Sequence, residues 1–163
     1  VSVDAAFLGR HEIATSVEME SLGRRIGEQL EAGDVLILTG PLGAGKTTFT
    51  RGLADGLGVR GPVQSPTFVI ARTHPSLVGR PPLVHVDAYR LGSAEELDDL
   101  DLDLDRSVVV IEWGRSMAEE LVDSWWDIEL ERPVGAGGDD DLDPSELDAD
   151  APRIVTIVKE SAR

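Results

Sequence analysis

Apolar residues fall into two kinds of pattern along this chain. Met19, Leu22, Ile26 and Leu30 recur every three or four positions, which predicts a helix with one buried face. Thr15-Ser16-Val17-Glu18 precedes them in the form of a capping box, with Thr15 at the cap and Glu18 reaching back, and Gly33 marks the expected stop. Val35-Leu36-Ile37-Leu38 is different: it is short and wholly apolar, as suits a strand buried on both faces of a parallel sheet. A Gly-rich turn follows, then a helical pattern from Lys46 to about Leu57, closed by Gly58. Residues 63–71 read as a loop entering a strand. Leu83-Val84-His85-Val86-Asp87 and Val108-Val109-Val110-Ile111-Glu112 share one design, an apolar strand ending in an acid. A short helix is expected over 116–122. Residues 126–131 and 153–159 alternate apolar and polar, as strands near a sheet edge do, and Trp125 and Trp126 are read as packing residues.

A length of 163 residues fits one domain over 1–163, long enough to bury a core without a disulfide or metal staple. The absence of cysteine excludes disulfide scaffolds, Cys-ligated zinc, iron–sulfur clusters and thiol nucleophiles. His11, His74 and His85 are too scattered for a His-rich metal site. The net charge of −16 is local: residues 95–105 and 134–152 each hold seven acids and no base, and these fourteen account for all but −2 of it. The near-neutral body lacks the broad cationic surface that grips nucleic acid unaided, so RNA is expected only through a partner. The stretch 134–152 is rich in Gly, Asp and Pro, and predicts a flexible, solvated insertion between the last two strands. The first residues lack a basic start and apolar core, and the longest apolar runs are far shorter than a membrane span, so a cytoplasmic protein with no membrane role is expected.

Gly40-Pro41-Leu42-Gly43-Ala44-Gly45-Lys46-Thr47 matches the P-loop spacing G-x-x-x-x-G-K-T. The glycines let the backbone curl around a phosphate without side-chain clashes, and the curl points successive amide hydrogens inward. The following helix adds about half a positive charge at its N-terminus. Lys46 is placed to reach the β- and γ-phosphates and the Thr47 hydroxyl to ligate Mg²⁺. Lys46 is one of only two lysines, in a chain that otherwise uses Arg. Strands alternating with helices around such a loop predict an α/β, P-loop NTPase-like three-layer fold: a central, mostly parallel sheet with helices on both faces. Asp87 and Glu112, at the ends of apolar strands, would then stand on the same rim as the loop, where ligands of open α/β sheets bind. One could serve magnesium, directly or through water, while the other orients an attacking water; the sequence leaves that division open. Ser65-Pro66-Thr67-Phe68 has hydroxyls that either cap a turn or sense a γ-phosphate.

Taken together, Gly40-Pro41-Leu42-Gly43-Ala44-Gly45-Lys46-Thr47-Thr48-Phe49, Ser65-Pro66-Thr67-Phe68, His85-Val86-Asp87-Ala88-Tyr89-Arg90-Leu91 and Ile111-Glu112-Trp113 resemble the TsaE (YjeE) family of small bacterial P-loop ATPases over about residues 15–131. The P-loop is widely shared; the four motifs in this order are specific. The resemblance implies ATP and Mg²⁺ at the loop (Gly40, Leu42, Gly43, Ala44, Gly45, Lys46, Thr47 and Thr48). It implies Asp87 and Glu112 at the metal or the hydrolytic water, Trp113 beside the nucleotide, and a switch-like loop at Ser65–Phe68. It further implies slow ATP hydrolysis, stimulated by partners, in making N6-threonylcarbamoyladenosine in tRNA. The partners would be TsaD and TsaB, which carry out the transfer, with tRNA met only indirectly. Pro41 stands where the family usually carries an acid, and the stretch 134–152 lies outside its usual pattern.

A GTP switch would need an asparagine in its guanine motif, and the chain has none. The rival that shares the P-loop and carboxylate logic is a small-molecule or nucleoside kinase, which would need an arginine-bearing lid. Arg72, Arg80 and Arg90 could supply the charge, but no separate lid segment is evident.

Overall fold

The computed structural model describes residues 5–41, 44–59, 71–88, 95–96, 102–115, 117–132 and 152–161. Seven strands form one sheet: β1 (Gly9–Ile13), β2 (Val35–Thr39), β3 (Ala71–His74), β4 (Leu83–Asp87), β5 (Val108–Glu112), β6 (Ser124–Glu131) and β7 (Arg153–Ser161). Their order across the sheet is β1-β7-β6-β2-β5-β4-β3. The pairs β4/β5, β5/β2 and β2/β6 are parallel, while β1/β7, β6/β7 and β3/β4 are antiparallel. Following these pairings, five strands point one way and only β7 and β3 oppose them. The sheet is mixed, with a parallel centre where the wholly apolar runs lie: β2, β4 and β5 each bury their first four residues.

Helices flank the sheet, among them α1 (Ser16–Gly27), α2 (Lys46–Leu57) and the single turn α3 (Ala118–Leu121). α1 and α2 cover one face, packing Met19, Leu22, Ile26, Phe49, Leu53 and Leu57 onto Leu36, Leu38, Val108, Val110, Trp126 and Ile128. The alternate strand residues Val35, Ile37, Val84, Val86, Val109 and Ile111 face the other way, under Met117, Ala118, Leu102 and Leu104. That side has only α3 and a loop as cover among the described residues. No helix among them is long and apolar enough to cross a membrane.

α1 and α2 touch through glycines. A Cβ at Gly23 would press on the Cα of Gly52 and the amide of Leu53, both 3.1 Å away, and one at Gly56 would meet the Glu28 amide at 2.8 Å. This close approach fixes α2 against α1.

The predicted elements are present, with three differences. α1 ends at Gly27, not near Gly33; the chain tightens there, with Gln29 N–H bonding Ile26 O at 2.9 Å, and Leu30 stays buried beyond the helix. Glu18 reaches back as expected but accepts from the Ala14 amide at 2.8 Å, while Thr15 Oγ1 accepts from Glu18 N–H at 3.2 Å. The strands read as near an edge lie there, β7 second and β6 third from it, and the edge strand is β1. β1 itself carries no alternating apolar signal, burying only Ile13. The expected insertion at 134–152 lies outside the described residues except for Pro152, as does the predicted loop at 63–70.

Candidate active site

The end of β2 turns directly into the P-loop and α2. Gly40 cannot be replaced by a larger residue without collision, since its Cβ would lie 2.6 Å from the Leu130 carbonyl oxygen. Ala44 N–H bonds Pro41 O at 3.1 Å, and Gly45 takes φ +102°, a left-handed conformation that a side chain resists. Gly45 is the N-cap of α2 and has no side chain with which to cap that end, and no acid lies in the first turn. The uncapped amides at such a terminus suit an anion. Inside the helix, Thr50 Oγ1 donates to Lys46 O at 2.8 Å, securing the first turn.

The carboxylates arrive by strand register. Asp87 and Glu112 are the last residues of neighbouring parallel strands and stand directly opposite each other, while Leu38 of β2 pairs Glu112 on its other side. Strand alternation puts both acids on the face that α2 covers, because Leu83, Val108 and Val110 of the same rows pack there. Glu112 is 5% exposed, and Asp87 is half-buried. Both acids act on the Lys46 ammonium, drawing its pKa upward, Glu112 more than Asp87. Desolvation outweighs them and holds it below the ordinary lysine value.

Trp113 follows Glu112 at φ +64°, a conformation rarely taken by a bulky residue. Its amide bonds Leu38 O at 3.0 Å. Its ring, on a residue 38% exposed, lies under Lys46, with Nζ 4.2 Å from the centroid. The turn is pinned two residues on, where Arg115 forks onto Asp127 at 2.9 and 2.6 Å and reaches Glu129 at 3.2 Å. Backbone strain held this firmly at a cleft is a common mark of function.

Gly40, Ala44, Gly45, Lys46, Thr47, Thr48, Asp87, Glu112 and Trp113 are thus gathered on one rim of the sheet. Leu42 and Gly43 of the loop, Ser65, Pro66, Thr67 and Phe68, and Tyr89, Arg90 and Leu91 lie outside the described residues. Trp125 and Trp126 are buried packing residues, as read from the sequence. One neighbour had no role in that reading. His85, two residues before Asp87, is fully buried on the same face, with Nε2 3.7 Å from Glu112 Oε2. Its signal was available: a polar residue inside an otherwise apolar strand, two positions from a candidate acid.

The groups present fit a magnesium–nucleotide. An uncapped helix N-terminus and an ammonium suit phosphate, and a hydroxyl with one or two carboxylates is a donor set for a hard cation that keeps several waters.

Comparison with known proteins agrees. The family model described as "Threonylcarbamoyl adenosine biosynthesis protein TsaE" matches residues 13–136. The Streptomyces coelicolor protein named tRNA threonylcarbamoyladenosine biosynthesis protein TsaE is 58% identical over 125 residues, 75% of this chain and 84% of that one. The Bacillus subtilis protein of the same name is 39% identical over 127 residues, 76% and 75% of the two chains. The crystal structure of Bacillus subtilis YdiB superposes with a TM-score of 0.65 at 26% identity, covering 93% of this chain and 84% of that one.

Proposed function

The chain belongs to the TsaE family of threonylcarbamoyl adenosine biosynthesis proteins, and from that premise we propose how its residues divide the work. It is an ATP-binding accessory protein of tRNA N6-threonylcarbamoyladenosine biosynthesis, functionally associated with TsaD and TsaB, and a slow Mg²⁺-dependent P-loop ATPase. The rival kinase reading falls away with the family.

The amides from Gly43 to Thr48 would hold the phosphates, Lys46 would reach the terminal ones, and the Thr47 hydroxyl would serve the metal. Asp87 serves magnesium, because it is the more accessible acid and a hydrated cation needs room for its waters. Glu112, nearly enclosed, orients the attacking water. When bound, the metal neutralises charge on the phosphates. Trp113 holds Lys46 until phosphate draws it away, and Ser65–Phe68 act as the switch-like loop. Residues 1–163 form one domain with the acidic stretch 134–152 inserted. The protein acts in the cytoplasm by binding the TsaD–TsaB complex, which stimulates its turnover, and meets tRNA only through it.

The observation that carries this reading is the in-register pair Asp87–Glu112 facing Lys46 across the rim. Depletion in cells followed by mass spectrometry of tRNA nucleosides tests it. The threonylcarbamoyl mark should fall, and should return with the wild-type chain but not with Lys46→Ala. An unchanged mark after depletion would defeat the reading.

A further inference from the structure

We infer that His85 is a positioning residue for hydrolysis, donating from Nε2 to the Glu112 carboxylate; this rests on the role given to Glu112 above. His85 lies on β4 opposite Val110 of β5 and Arg72 of β3. It is 0% exposed, and neither Nδ1 nor Nε2 has a hydrogen-bond partner among the described residues. Buried polar atoms are nearly always paired, so an unpaired imidazole beside a catalytic rim calls for a use. Packing supplies none: Leu83, Val108 and Val110 beside it are apolar, and neither Arg72 opposite it nor the nearby His74 hydrogen-bonds it.

The geometry supplies one. Nε2 stands 3.7 Å from Glu112 Oε2, just outside the roughly 2.7–3.2 Å range of an N–H···O bond. A side-chain movement of about 1 Å closes that gap, and the broad terminal torsion of a glutamate permits it. Bonding one carboxylate oxygen fixes the plane of the group and so the direction in which it meets water. The imidazole serves as a donor through the hydrogen on Nε2.

His85→Leu keeps volume and removes the donor. It should fold, bind Mg-ATP with Kd and KM within about threefold of wild type, and lose about 10- to 100-fold in kcat, the usual cost of an orienting partner. His85→Gln, with an amide donor at similar reach, should recover most of that loss. Independently of turnover, histidine ¹⁵N NMR should place the His85 hydrogen on Nε2. Its resonance should shift when a non-hydrolysable ATP analogue with Mg²⁺ is added, and Glu112→Gln should abolish the shift. Wild-type kcat in His85→Leu, a loss matched by equal losses in melting temperature and ATP affinity, or a hydrogen on Nδ1 would each overturn the inference. If Glu112→Gln hydrolyses ATP normally, the role of Glu112 itself is wrong, and the inference falls with it.

Discussion

The two ends of α2 are built in opposite ways. At the C-terminal end the protein answers its own carbonyls. Gly58, at φ +69°, donates to Asp55 O at 3.1 Å, and Val59 N–H bonds Ala54 O at 2.9 Å. Ser76 Oγ donates to Leu57 O at 2.8 Å, Leu77 N–H bonds Gly58 O at 2.7 Å, and Arg80 donates to Gly56 O at 2.9 Å. The same guanidinium reaches Leu30 O just beyond α1 at 2.7 Å, bringing a cation to the negative end of a helix dipole. At the N-terminal end Gly45 offers no side chain, no acid enters the first turn, and the nearest charge is the half-buried Lys46. α1 shows that this is not a general habit, since its N-terminus is capped by Thr15 and Glu18. An end capped by a glycine, in a chain that caps its other helix with side chains, suits a ligand.

Substitutions should separate the two ends. Lys46→Ala should weaken Mg-ATP binding most, roughly 30-fold or more, the cost of losing one partner of a charged pair at above 2 kcal/mol, as read by calorimetry. Mg-ATP at a hundredfold its Kd should stabilise the wild type by about 2.7 kcal/mol, on the order of 5–10 °C in melting temperature, and the Lys46→Ala protein at the same concentration by about 0.9 kcal/mol or less. Arg80→Ala should reverse the pattern. Its expected cost is about 2 kcal/mol, on the order of 4–8 °C, with ATP affinity unchanged; a loss of affinity instead would erase the contrast. Thr15→Ala should cost about 1 kcal/mol in urea unfolding and leave nucleotide binding alone.

The smallest effect concerns pH. Burial lowers the Lys46 pKa in the folded protein, so the unfolded chain binds more protons between that lowered value and the ordinary lysine value. Stability without nucleotide should therefore rise with pH across that alkaline window relative to Lys46→Ala. Mg-ATP should flatten the rise by favouring the charged ammonium. A falling trend in urea midpoints would contradict the assignment.

Much of this was legible because the decisive signals are local. Loop spacing, buried-strand composition and terminal acids placed Lys46, Asp87 and Glu112 without any long-range information. What escaped depends on distant parts of the chain. β1 forms only because β7 offers it an edge, so its residues Gly9–Ile13 need no apolar alternation of their own. α1 stops at Gly27 because the chain must turn towards β2, although the periodic signal runs on to Leu30. The glycines Gly23, Gly27, Gly52 and Gly56 stand in the sequence at helical spacing, but only the pairing of the two helices reveals why a Cβ is excluded. His85 stands out in the sequence as a polar residue in an apolar strand, but only register brings Glu112 beside it.

The most direct measurement is a crystal structure with Mg²⁺ and a non-hydrolysable ATP analogue. The account predicts the triphosphate seated on the amides at the start of α2, Lys46 drawn from the Trp113 ring to the phosphates, and Asp87 and Glu112 facing the metal and the terminal phosphate. A nucleotide bound elsewhere, with Lys46 still over Trp113 and both acids turned away from it, would contradict it.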